Sequence, residues 1–166
     1  ATLAKDWLQG VATNSVRTLA KAKSTDPADE QYYEREMKAV SAHVSKLQQE
    51  LESLVKSDKG KALLADVAAR RKTYTDIRNE AFRRKAAEGM NAGVHALIGE
   101  RMLPAMKEYV AAVEATVAYQ ETLFADAEAR IDAVYADARR LARPRDEAAA
   151  ARLFAGAATE FYGLEP

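Results

Sequence analysis

From Met106 to Leu141 the inward positions fall four and three residues apart without a break: Met106, Val110, Val113, Val117, Gln120, Phe124, Ala127, Ile131, Val134, Ala138 and Leu141. A mean step near 3.5 is the seam of helices packed about 20° apart, not the broad stripe of an isolated surface helix. Gln120 is the only strongly polar member. A second seam runs through Tyr33, Met37, Val40, Val44, Leu47, Leu51 and Leu54. A third helix is marked by Leu63, Val67, Tyr74, Ile77 and Ala81, and a fourth, at the start, by Trp7, Leu8, Val11, Leu19 and Ala22.

The punctuation between these runs agrees with four helices. Asp26-Pro27 supplies an N-cap followed by proline in the first turn. Ser57-Asp58 caps the third helix, Glu88-Gly89 ends it on the residue best suited to a left-handed terminus, and Asn91 caps the fourth. Pro104 is expected to kink that helix near its first third. Connections of a few residues force neighbours to run antiparallel. The predicted fold is all-α, an antiparallel up-down-up-down four-helix bundle with long helices. At about 1.5 Å per residue, the third helix (58–88) is about 45 Å long and the fourth (92–142) about 75 Å. The fourth then outruns its neighbours, so its apolar seam needs cover from an upstream extension of the first helix or from a second copy. A dimer is expected. The predicted domain is 1–142. Residues 143–166, from Arg143-Pro144-Arg145 onward, break the pattern and form at most a short separate helix of uncertain origin.

Composition narrows the function. One domain's worth of chain, 166 residues, carries 25 basic and 25 acidic side chains, so no net field calls for nucleic acid or an anionic membrane. Without cysteine there is no disulfide scaffold, thiolate metal site or cysteine nucleophile. No run of 18 apolar residues is present to span a bilayer. The chain opens at Ala1 with no targeting pattern and reads as a piece of a longer protein. No phosphate loop, catalytic triad or paired-carboxylate site is found, and no enzyme is expected. His43 and His95 lie on different helices without metal-ligand spacing, and no metal or cofactor is expected. Arg83-Arg84-Lys85, and Arg139-Arg140 with Arg143, read as solvated faces. The second cluster is also suited to lipid headgroups.

On a wheel of 100° per residue with Tyr74 at zero, Val67 lies at about 20°, Arg78 at about 40° and Arg71 at about 60°. Two arginines therefore flank an apolar stripe from one side, roughly 10 Å apart, with a tyrosine between them. Folding the second helix onto the third places Ser41 opposite Tyr74 and Val44 opposite Arg71. Folding the fourth onto the third places Tyr109 beside Arg71. Neither seam offers a carboxylate at this level. Arg71 and Arg78 thus lack an internal counter-ion while Ser41, Tyr74 and Tyr109 supply hydroxyls, and a small organic anion would complete the set. The competing reading is two snorkelling arginines on a structural or partner-binding bundle that takes no small molecule.

Taken in order, Trp7 with Asn14 and Arg17, Arg71-Lys72-Thr73-Tyr74, Ile77-Arg78-Asn79, Phe82 to Gly89, Leu103-Pro104 with Tyr109, and Tyr119-Gln120 form a pattern over about residues 1–142. It resembles the extracytoplasmic four-helix-bundle ligand-binding domain of bacterial methyl-accepting chemotaxis proteins. The resemblance implies a periplasmic domain of an inner-membrane receptor, anchored through segments outside this sequence. It also implies a homodimer that binds a small carboxylate (a di- or tricarboxylate, or an aromatic acid) and signals by helix displacement. In such receptors arginines with hydroxyl and aromatic neighbours hold the ligand, often one from each chain. Arg71, Tyr74, Arg78, Ser41 and Tyr109 fit that role, and Arg17, roughly level with Arg78, fits the arginine from the second chain. A sensor kinase using the same module would look identical here.

Overall fold

The computed structural model describes residues 2–142 and residue 152, with the side chains of 141 and 142 left out. Apart from residue 152, the 143–166 tail lies outside the described residues. The helices are α1 (Thr2–Lys23), α2 (Pro27–Leu54), α3 (Asp58–Glu88), α4 (Ala92–Ala96), a π-helical segment (Leu97–Met102) and α5 (Leu103–Ala142). No strand occurs among the described residues, and α4 through α5 act as one long fourth helix. The fold is an all-α four-helix bundle. By its packing the chain divides into two units, Ala1–Leu123 and Phe124–Pro166.

Each expected cap is formed. The Asp26 carboxylate accepts from the Ala28 N–H at 2.8 Å, the Ser57 hydroxyl from the Gly60 N–H at 3.1 Å, and the Asn91 side chain from the Val94 N–H at 2.9 Å. Each satisfies a donor that the first helical turn leaves unpaired. Gly89 closes α3 with φ at 73°, a conformation that a side chain would strain. Connectors of three residues then fold each helix back on the last.

Before Pro104, where a kink is expected, the helix takes a π-turn. The ladder widens there, and the Leu103 N–H reaches back five residues to the Ile98 carbonyl. Proline lacks an N–H and its ring crowds the carbonyl four residues upstream, and a π-turn there gives that carbonyl room.

In the first unit Trp7, Val67, Val94, Met102 and Val113 are completely buried. Gly10 lets α1 approach α2 closely: a Cβ there would come within 2.8 Å of Val44 Cγ2. Two seam assignments shift by one residue. Leu54 is exposed and Val55 buried, because α2 ends at Leu54 and the extended residue after it turns inward. On α3 Leu64 is buried, with Leu63 only half so. In the second unit the seam residues Phe124, Ile131 and Val134 are exposed, as is Tyr135 beside them.

Candidate functional site

Helix α3 carries a seam in strict three-four alternation: Leu64, Val67, Arg71, Tyr74, Arg78, Ala81 and Lys85. Three of these inward positions are cationic, and their surroundings differ. Lys85 is 8% exposed; its ammonium lies 3.0 Å from a Glu30 carboxylate oxygen and donates to the Lys21 carbonyl at 2.7 Å. Its expected place on a solvated face is therefore wrong. It stands two heptads from Arg71, on the side of α3 that faces the bundle, where burial requires an anionic partner.

Arg71 and Arg78 have no such partner. Arg71 donates to Gln48 Oε1 at 3.1 Å and to Ser45 Oγ at 2.8 Å, both neutral. Arg78 donates to Asn79 Oδ1, at 3.0 and 3.2 Å, and its guanidinium carbon lies 5.9 Å from the centre of the Tyr74 ring. Neither enters an ion pair among the described residues, although neighbouring cations do. Arg70 pairs with Asp66 and Glu108, and Lys21 with Glu34.

Both arginines line a cleft of about 180 Å³ with Val11, Asn14 and Ser15 of α1, Ser41 and Val44 of α2, Tyr74 and Thr75 of α3, and Tyr109 of α5. Five of the six sequence-derived candidates thus meet in one cleft: Arg71, Tyr74, Arg78, Ser41 and Tyr109. Arg17 is not among the lining residues; it pairs with Glu36 at 3.2 Å.

Tyr74 and Tyr109 stack with ring centres 5.8 Å apart and planes 16° from parallel. Burial pushes the Tyr74 phenol above its ordinary pKa, an effect that Thr18 and Arg78 temper. Burial likewise raises Tyr109 to about 12, with Arg71 opposing and Tyr74 adding to the rise. Both hydroxyls are therefore neutral at physiological pH and able to donate.

Ser45 and Gln48 were not read from the sequence, and Asn14 entered only as part of the family pattern, not as a site residue. The Asn14 amide donates to the Met37 carbonyl at 3.2 Å and to Ser41 Oγ at 3.4 Å, tying α1 to α2 beside the cleft. Arg71 ties α3 to α2 through Ser45 and Gln48. The missed signal was alternation carried by polar residues. Trp7, Val11, Asn14 and Thr18 on α1, and Met37, Ser41, Val44, Gln48 and Leu51 on α2, keep the seam spacing. At the level of the cleft every helix of the bundle thus brings a polar group inward.

Among the described residues no cluster of acidic and histidine side chains could hold a metal ion, and no helix is long and apolar enough to cross a membrane. No curated protein matches the chain. A family described as the four helix bundle sensory module for signal transduction matches residues 4–135, most of the chain and all of the cleft. The chain belongs to that family, the sensory four-helix bundles of chemoreceptors.

Proposed function

We propose that this module binds a small organic carboxylate, a di- or tricarboxylate or an aromatic acid, in the cleft formed by Arg71, Arg78, Tyr74, Ser41 and Tyr109. The observation that carries this reading is the pair of half-buried guanidiniums at seam positions without a carboxylate partner. A bundle that needed cations there only for stability would pair them, as it pairs Lys85 with Glu30. A planar guanidinium matches a carboxylate with two parallel hydrogen bonds. The cleft lies below the roughly 300–1,000 Å³ of pockets that take drug-sized ligands, so the ligand is small. The stacked tyrosines offer it an apolar wall and neutral hydroxyl donors.

A ligand seated there touches α1, α2, α3 and α5 together, so its binding changes their relative packing. In the proposed mechanism α1 shifts by an angstrom or two against the fourth helix, a displacement that packed helices sustain as a unit. The receptor setting that accompanies it is an extracytoplasmic domain of an inner-membrane protein acting as a homodimer, with Arg17 offered across the dimer. Ligand-free and ligand-bound structures with identical helix positions would refute the displacement.

A thermal-shift panel of malate, succinate, citrate and benzoate, with their uncharged amides as controls, tests the ligand class. A ligand at 100 times its Kd stabilises a protein by about 2.7 kcal/mol, a rise of several degrees for a domain of this size. Selective stabilisation by acids and not amides is the expected result. Silence across the panel from a folded protein would favour the structural bundle.

A further inference from the structure

A residue that lines the cleft carries an acceptor that the fold leaves without a donor. Asn14 Oδ1 is shielded from solvent and accepts no hydrogen bond among the described residues. Reversing the amide would not help, because it would set Oδ1 against the Met37 carbonyl that Nδ2 now satisfies. No side chain of the lining donates to Oδ1: Arg71 donates to Gln48 and Ser45, Arg78 to Asn79, and the Ser15 hydroxyl to the Val11 carbonyl at 2.9 Å. A buried acceptor without a donor destabilises the protein that holds it, and Asn14 lines the cleft. A ligand that brings its own donor would remove that cost.

Resting on the carboxylate reading, we infer that Asn14 is a specificity-determining residue: its Oδ1 accepts a hydrogen bond from a hydroxyl of the ligand. The cleft is thereby selective for 2-hydroxy acids over the same acids without the hydroxyl. The donor is a hydroxyl and not an ammonium. The lining holds two guanidiniums and no aspartate or glutamate, so an ammonium would meet two like charges with only a neutral amide to face it. The hydroxyl has no such conflict. It leaves both carboxylates free for Arg71 and Arg78, and a site built to bond a hydroxyl discriminates against the analogue that lacks it.

Isothermal titration of malate, succinate, 2-methoxysuccinate and aspartate into the wild-type protein and Asn14→Leu tests this. The methyl ether keeps the oxygen but removes the donor. The wild type is expected to bind one enantiomer of malate about tenfold more tightly than succinate, the ether or aspartate, the factor typical of one hydrogen bond of about 1.4 kcal/mol. Asn14→Leu should lose the preference for malate, its affinities for malate and succinate falling within about threefold of each other. Equal wild-type affinities for both malates, succinate and the ether would overturn the role of Asn14, and so would a preference that survives in Asn14→Leu. If the variant does not fold, the wild-type comparison with the ether decides alone. Succinate binding that Arg78→Ala weakens, with no gain from the hydroxyl, would sink this inference and leave the carboxylate reading standing. No binding of any acid to the folded wild type would overturn both.

Discussion

Replacing Arg78 by methionine should leave the ligand-free protein as stable as before, and this separates a binding arginine from a structural one. What the folded state loses can be read from its contacts. The hydrogen bonds go to Asn79, the adjacent and exposed residue of the same helix, and contribute almost nothing. The Tyr74 ring, 5.9 Å away, contributes about 0.5–1 kcal/mol as a cation–π partner at such a site. Against this stands a relief of repulsion. Burial lowers the pKa of the Lys21 ammonium, Glu30 opposes that, and Lys85 and Arg78 lower it further. Methionine keeps the apolar stem and removes one of those charges. The sum is a change within about 1 kcal/mol of wild type, or about 2–4 °C in Tm, with any gain larger at low salt. A half-buried arginine held by a real ion pair would instead cost about 2 kcal/mol or more, towards the cost of breaking a fully buried pair. Urea unfolding followed by circular dichroism measures the difference. A loss above about 2 kcal/mol would show that Arg78 is part of the scaffold and refute the reasoning.

Other outcomes follow from the same contacts. Lys85→Met should destabilise by about 2 kcal/mol, below the full cost of a broken buried pair because Glu30 is partly exposed; urea unfolding checks it, and no loss would mean the pair is dispensable. Ser57→Ala should cost about 1 kcal/mol through loss of the α3 cap, while Ser57→Asp should retain most of the wild-type Tm. For Tyr109 the folded pKa of about 12 lies above the ordinary value of 10. The folded state therefore holds a proton that the unfolded state releases. The contribution is complete below pH 10 and falls as pH rises towards 12, by at most about 1.4 kcal/mol per unit. Tyr109→Phe should flatten that decline in alkaline unfolding curves, and an unchanged slope would contradict it.

Helix boundaries were legible because they rest on local chemistry. Asp26, Ser57, Gly89 and Asn91 announce their caps within a few residues, and all four act as expected. The lateral contacts were less legible, because the seams were traced through apolar residues. That tracing put Leu54 inside and Lys85 outside. Following position rather than polarity would have placed Asn14, Gln48 and Lys85 on the seam. Arg71, Tyr74 and Arg78 could be found because three residues on one helix carry their own geometry. Their partners Ser45 and Gln48 could not, since counting from the loop set Val44 opposite Arg71, and the long guanidinium reaches one and four residues further along α2. The π-turn before Pro104 was hidden for another reason: proline fixes what the ladder cannot do, but not how the turn before it adapts.

The most direct measurement is a calorimetric titration of the acid that stabilises the protein most into wild type, Arg71→Ala and Arg78→Ala, each first shown to be folded. A guanidinium–carboxylate pair lost from a half-buried cleft should weaken binding by more than tenfold in either variant. Wild-type affinity in both variants would contradict the account, because the unpaired arginines would then have no anion to receive.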